Sequence, residues 1–237
     1  MAATPTQVTI PGNHVYPESI TATPDGTLIN GGLGNGGIYR TAPGTSTATL
    51  WIKPGTAGMM STLGVLADAH SNTLFVCSSD FSSQGVTIAG GKKPVALKMF
   101  DLTTGALKGS VTLPGKRTLC NDIAIGPDGA AYVTDSFSPH VLRLKPSSKT
   151  FEIWATDPRF TVKNGAGLDG IAFGSDGNVY VDLYNRNLDP RAGFDRALRP
   201  APRRRYWSDR EVVGSVPHAI DRPPAVQAPG APTEGGA

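Results

Sequence analysis

Three nine-residue segments of this chain are variants of one pattern. They read Glu18-Ser-Ile-Thr-Ala-Thr-Pro-Asp-Gly26, Asn121-Asp-Ile-Ala-Ile-Gly-Pro-Asp-Gly129 and Asp169-Gly-Ile-Ala-Phe-Gly-Ser-Asp-Gly177. In each, a short apolar strand core follows the first residue and leads into a Pro/Ser-Asp-Gly turn. Asp-Gly between two such runs is a strong hairpin signal, because Gly takes the left-handed backbone without steric cost. The first residue varies among Glu, Asn and Asp while the scaffold behind it repeats. Stability alone has no need of three different polar groups at one repeat position. Three hard oxygen donors converging from three repeats are what a calcium-type site requires.

Extending the alignment gives four units. The first carries Ile20-Thr-Ala-Thr, the turn Pro24-Asp25-Gly26, Thr27-Leu-Ile-Asn30 and Gly37-Ile-Tyr-Arg40. The second is weaker: Gly64-Val-Leu-Ala-Asp68, a turn at His70-Ser-Asn72, Thr73-Leu-Phe-Val-Cys77 and Leu97-Lys-Met-Phe-Asp101. The third adds Ala130-Ala-Tyr-Val-Thr134 and His140-Val-Leu-Arg-Leu144, and the fourth Asn178-Val-Tyr-Val-Asp182. The turn residues Asp25, Ser71, Asp128 and Asp176 are 46, 57 and 48 residues apart. Several short strands repeating every 40–50 residues are the mark of a β-propeller. The expected architecture is an all-β propeller over residues 1–185, with blades at 16–45, 63–105, 119–148 and an incomplete one at 168–185. Strand starts on innermost strands lie around one mouth of the central channel, so residues about 100 apart can meet there. In the second unit the equivalent position is Leu63.

Composition agrees. Gly (29) and Pro (20) make up about a fifth of the chain, which favours many short strands over long helices. No stretch approaches the ~20 apolar residues of a membrane-spanning helix. The N-terminus lacks the basic and apolar regions of a signal peptide. A soluble protein is expected, cytoplasmic, or exported if a leader has been lost. Cys77 and Cys120 lie in apolar strand contexts and read as buried free thiols.

The formal net charge of +3 is uneven. Residues 1–185 hold 13 Lys+Arg against 13 Asp+Glu, whereas 186–237 hold nine Arg, no Lys and six acids. The excess belongs to the tail, so neither a nucleic-acid footprint nor a membrane surface is expected on the folded body. The tail carries eight Pro in 52 residues and no strand alternation. Such a switch in composition is what a GC-rich gene read in a shifted frame produces. We read 186–237 as an irregular or frameshifted tail in place of the last blades; a genuine disordered basic extension is the alternative.

These motifs resemble the SMP-30/gluconolactonase/LRE-like family of six-bladed propellers. The resemblance covers about residues 7–185. It rests on Tyr16-Pro-Glu18-Ser-Ile, Leu119-Cys-Asn121-Asp-Ile-Ala-Ile-Gly-Pro-Asp-Gly, Tyr132-Val-Thr-Asp135-Ser136 and Leu168-Asp169-Gly-Ile-Ala. It implies a divalent metal in the channel held by Glu18, Asn121 and Asp169, calcium foremost, with zinc and magnesium as alternatives. It implies lactonase chemistry, in which the metal polarises an ester carbonyl and Asp169 assists an attacking water as general base. The expected partner is a small lactone or sugar-like substrate; oligomeric state stays open. The resemblance also implies that an N-terminal strand, at Gln7-Val-Thr-Ile10, completes the last blade. The family often has a second channel Asn where this chain has Leu63. Two other readings therefore stand: a non-catalytic binding propeller with a structural calcium, and an inactive truncated family member.

Other motifs read as structural. Gly32-Leu-Gly-Asn-Gly-Gly37 matches a dinucleotide fingerprint in spacing but lacks the required helix, so it reads as a hairpin loop. Asp122 is expected to alternate away from the channel, and Asp135 and Ser136 to be strand-end turn residues. Met59, Met60 and Trp51 read as packing residues. His14, His70 and His140 read as surface or structural, and neither Ser61 nor Ser136 has a nucleophile-elbow context.

Overall fold

A computed structural model of the chain describes residues 5–160, 165–174 and 178–184, and the course of the strand 212–217. Each repeat is an antiparallel meander. The first sheet comprises β1 (Pro17–Ala22), β2 (Leu28–Gly32), β3 (Ile38–Thr41) and β4 (Thr49–Ile52). The second comprises β5 (Ser61–Asp68), β6 (Thr73–Ser79), β7 (Ala96–Asp101) and β8 (Leu107–Thr112). The third comprises β9 (Cys120–Ile125), β10 (Ala131–Asp135), β11 (His140–Leu144) and β12 (Glu152–Thr156). In the fourth, β13 (Leu168–Phe173) pairs with β14 (Asn178–Leu183), which pairs with β15 (Val212–Pro217). The first strands of successive sheets pack side by side: β1 on β5, β5 on β9, β9 on β13. These are the blades of a β-propeller. Among the described residues no comparable packing returns from β13 to β1.

The repeated turn has one geometry wherever it is described. Gly26 N donates to Thr23 O and Gly129 N to Gly126 O, both at 2.9 Å. Asp25 Oδ1 accepts from Thr27 N and Asp128 Oδ1 from Ala130 N, both at 3.1 Å. The carboxylate thus caps the turn while Gly26 and Gly129 take φ of 86° and 72°. In the second sheet Asn72 (φ 49°) replaces the Gly, a position that Asn tolerates. The turn read at Ser175-Asp176-Gly177, and all of 186–237 except 212–217, lie outside the described residues.

Three apolar clusters fill the three spaces between sheets. Ile29, Ile38 and Ile52 meet Val65, Leu74 and Phe100, together with Met59 and Trp51. Phe75, Leu97 and Val111 meet Ile123, Val133 and Leu142. Tyr132 and Val141 meet Ile171, Val179 and Val181. Every residue of β6 and β10 is buried, since a neighbouring sheet covers each face. That is why Thr73–Ser79 reads as a continuous run instead of an alternation.

Two expectations are corrected here. Cys77 and Cys120 form a disulfide and are not free thiols; their Cα atoms are 5.1 Å apart across the interface of the second and third sheets. Their 43-residue separation conceals the contact, which only the stacking of β6 against β9 creates. The N-terminal segment also takes another place. Thr9 bridges Thr47 in parallel, and Val8 and Ile10 pack with Val15, Tyr39 and Ala48, so the segment joins the first blade. No helix among the described residues is long and apolar enough to cross a membrane.

Candidate functional site

The innermost strands share an irregularity that the repeat alone does not disclose. Each pairing of first with second strand shifts register at one repeat position: between Pro17 and Ile20, Thr62 and Val65, and Leu168 and Ile171, and opposite Val133 and Asp135. The residues inside the four bulges are Glu18-Ser19, Leu63-Gly64, Asn121-Asp122 and Asp169-Gly170. A bulge bends the strand and re-aims its side chains. Here it turns the first residue of each pair toward one mouth of the stack. Glu18, Leu63, Asn121 and Asp169 all line one cavity of about 650 Å³. Leu33, Asp80, Phe81, Arg117, Phe137 and Tyr184 complete much of its wall.

The bulged backbone is held by side chains of the second strand. Asp122 N donates to Thr134 Oγ1 at 3.0 Å, and in the next blade Gly170 N donates to Asp182 Oδ1 at 2.5 Å. Thr134 and Asp182 occupy equivalent repeat positions. The interface between blades repeats as well. Ser79 Oγ donates to Cys120 O at 3.0 Å, and Ser136 Oγ to Leu168 O at 2.6 Å. Each serine thus grips the carbonyl just before the site residue of the following blade. Thr134 Oγ1 adds a bond of 2.7 Å to Asp169 O. Both serines and Thr134 are buried, where an unmade bond costs about 1–3 kcal/mol.

Asn121 is oriented by its donors. Its Nδ2 donates to Ser136 Oγ at 2.8 Å and to Asp169 Oδ1 at 3.0 Å. Both N–H groups are thereby used, and the amide oxygen remains the acceptor available to the cavity. Two carboxylates and an amide oxygen form a hard donor set of the kind that calcium or magnesium takes. Among the described residues no three His, Cys, Asp or Glu side chains cluster closely enough to bind an ion by themselves.

Asp122 is not on the cavity wall. Its Oδ2 accepts Ile171 N at 3.0 Å, as Ser19 Oγ accepts Val65 N at 3.2 Å between the first and second blades. Burial holds the Asp122 carboxyl above the usual carboxylate range, and the charges of Asp169 and Asp182 act in the same direction. Asp135 is a strand-end group: Oδ1 accepts Leu119 N at 2.8 Å and Phe137 N at 3.1 Å, and burial raises its pKa. His14 bonds Tyr16 OH at 2.8 Å and is absent from the cavity wall. Gly32 to Gly37 form the loop between β2 and β3. Ser136, read from the sequence as a strand-end turn residue, instead holds the Asn121 amide and the Leu168 carbonyl; the signal for this role is the serine shared by Val76-Cys-Ser-Ser79 and Val133-Thr-Asp-Ser136.

No protein-family model matches the chain, and no curated protein matches it. Solved structures do. A structural-genomics target described as a gluconolactonase aligns with TM-score 0.55 at 16% identity, covering 71% of this chain and 58% of that one. The gluconolactonase from Xanthomonas campestris aligns with TM-score 0.50 at 13% identity, over 70% and 54%. Virginiamycin B lyase from Staphylococcus aureus, solved with quinupristin, gives TM-score 0.52 at 16% identity, over 73% and 50%. The chain spans about half of the length of these proteins. At such identities the likeness is one of fold.

Proposed function

We propose that the protein is a metal-dependent hydrolase of the lactonase type, opening a sugar lactone or similar small cyclic ester. The observation that carries this reading is the meeting of Glu18, Asn121 and Asp169 in one cavity, with the Asn121 amide nitrogen committed to Ser136 and Asp169. The fold shared with solved gluconolactonases and the sequence resemblance support it.

Glu18, Asn121 and Asp169 would hold the ion, calcium first. When bound, the ion acts as a Lewis acid toward the ester carbonyl. Asp169 accepts the proton of the attacking water. The water oxygen bonds to the carbonyl carbon, the ring C–O bond breaks, and the proton passes to the leaving alkoxide. A carboxylate base is needed because calcium lowers the pKa of water less than zinc does. Asn121, its amide nitrogen held by Ser136 and Asp169, would offer its oxygen to the ion. Leu33, Leu63, Phe81 and Phe137 give the cavity apolar wall that limits water around the ester.

Elemental analysis of the purified protein with a lactone-hydrolysis screen tests the reading. Activity that EDTA abolishes and calcium restores is the expected result; hydrolysis unchanged in metal-free protein overturns it. One observation favours a second reading, a binding propeller with a structural ion: Leu63 stands at the fourth equivalent position and offers no donor. A melt raised by calcium, with no turnover on any lactone, supports that alternative.

A further inference from the structure

The cavity of the oxygen donors continues toward a second one of about 450 Å³, and the two share Asp80, Ser83, Arg117 and Phe137. The second is lined by Lys92, Lys93, Lys116 and Arg117 against one acid, Asp80. Asp80 is already taken: Lys92 Nζ lies 2.8 Å from its Oδ2, and Ser82 N donates to its Oδ1 at 2.9 Å. Arg117 differs. Its guanidinium stacks on the Phe137 ring, with Cζ 4.6 Å from the centroid. Among the described residues no carboxylate comes within ion-pair distance of it. Stacking fixes the plane of the fork while leaving its edge donors for a ligand. If Glu18 and Asp169 hold a divalent ion, as the lactonase reading has it, Arg117 and the adjoining lysines set the sign of the rest of the cavity.

We propose that the substrate carries an anionic substituent, a carboxylate or phosphate, and that Arg117 at the junction of the two cavities receives it. This rests on the lactonase reading and names its substrate class. A planar guanidinium held on an aromatic ring binds either anion in a bidentate manner. Arg117 is a specificity-determining residue and takes no part in proton transfer.

The test compares kcat/KM for lactones that differ in one anionic group, in the full calcium-loaded chain and in Arg117→Gln and Arg117→Lys. D-galactaro-1,4-lactone against D-galactono-1,4-lactone examines the carboxylate. D-6-phosphoglucono-1,5-lactone against D-glucono-1,5-lactone examines the phosphate. The anionic-to-neutral ratio is expected to fall by roughly 10- to 100-fold in Arg117→Gln and by less in Arg117→Lys. The pair with the larger fall identifies the anion. Ratios unchanged in both pairs overturn the proposal while leaving the lactonase reading intact. If no lactone is hydrolysed, the lactonase reading fails, and titration of the calcium-loaded protein with D-galacturonate and D-galactose decides on Arg117. Affinity for galacturonate that is equal in wild type and Arg117→Gln then overturns the proposal; a selective loss of galacturonate binding upholds it.

Discussion

Asn121 Nδ2 lies 3.0 Å from Asp169 Oδ1, although the two residues are 48 positions apart and belong to different blades. The contact ties the third repeat to the fourth at the mouth of the stack. Both residues sit inside a bulge, and both are preceded by a carbonyl that a serine of the previous blade grips. The candidate site is therefore a product of interfaces between blades more than of any one blade.

Asp169→Asn should retain the cavity and lower kcat on a hydrolysed lactone by about 100-fold or more, the usual weight of a general base. Glu18→Gln should act mainly through the ion, with activity recovered at higher calcium. Steady-state kinetics over a calcium series separates the two. A base role for Asp169 does not survive equal effects in both variants.

Ser136→Ala removes the acceptor of Asn121 Nδ2 and the donor to Leu168 O together. About 1–3 kcal/mol of stability is expected to be lost. Calcium affinity, followed by isothermal titration, should weaken in Ser136→Ala and recover in Ser136→Thr. An affinity equal to wild type in the alanine variant would show that Ser136 does not orient the amide.

Gly64 faces the third blade so closely that an added Cβ would stand 2.4 Å from Asn121 O and 3.0 Å from Asp122 Cα. Both are backbone atoms, so β9 has to move. Gly64→Ala should cost about 1–3 kcal/mol as an overpacked contact. Because β9 carries Asn121, calcium binding should weaken too. Chemical denaturation with and without calcium measures both effects.

The Cys77–Cys120 bond closes a loop of 43 residues between blades. Loop-closure entropy makes it worth about 4 kcal/mol in the chain-entropy description. Thermal melts of the oxidised protein and of Cys77→Ser/Cys120→Ser should differ clearly, with the variant lower. Coincident melts would count against the bond as a staple.

Lys98 is buried between the first and second blades, where Nζ donates to Ser110 Oγ at 3.1 Å. Desolvation holds its pKa below the ordinary lysine value. The folded state thus binds the proton less well than the unfolded chain. Wild-type stability should rise with pH as the solution passes from the lowered pKa toward about 10.4, the unfolded value. Lys98→Met should be more stable at pH 7 than wild type, and its advantage should shrink as pH rises toward 10. Melting curves at pH 7 and pH 9.5 test the sign.

Much of the fold was legible because local chemistry repeats. The Pro-Asp-Gly turns, the runs behind them and their spacing follow from residues that act within a few positions of one another. The identities of Glu18, Asn121 and Asp169 as candidate donors were legible for the same reason: the repeat supplies a common frame in which an oxygen stands out. The fourth strand of the first three sheets was less visible. β8 and β12 lie on exposed edges and carry weak apolar patterns. Val212–Pro217 was hidden within an Arg/Pro-rich stretch.

The sequence by itself determined the repeat and its turn chemistry, since both depend on nearest-neighbour preferences of the backbone, and it set Glu18, Asn121 and Asp169 at one repeat position. The tertiary structure alone decided the bulges that aim those donors, the serine grips, the Cys77–Cys120 bond and the junction at Arg117. Each of these is set by how one blade stacks on the next. Pairing register and distance across an interface are shared properties of two segments, and neither segment encodes them on its own.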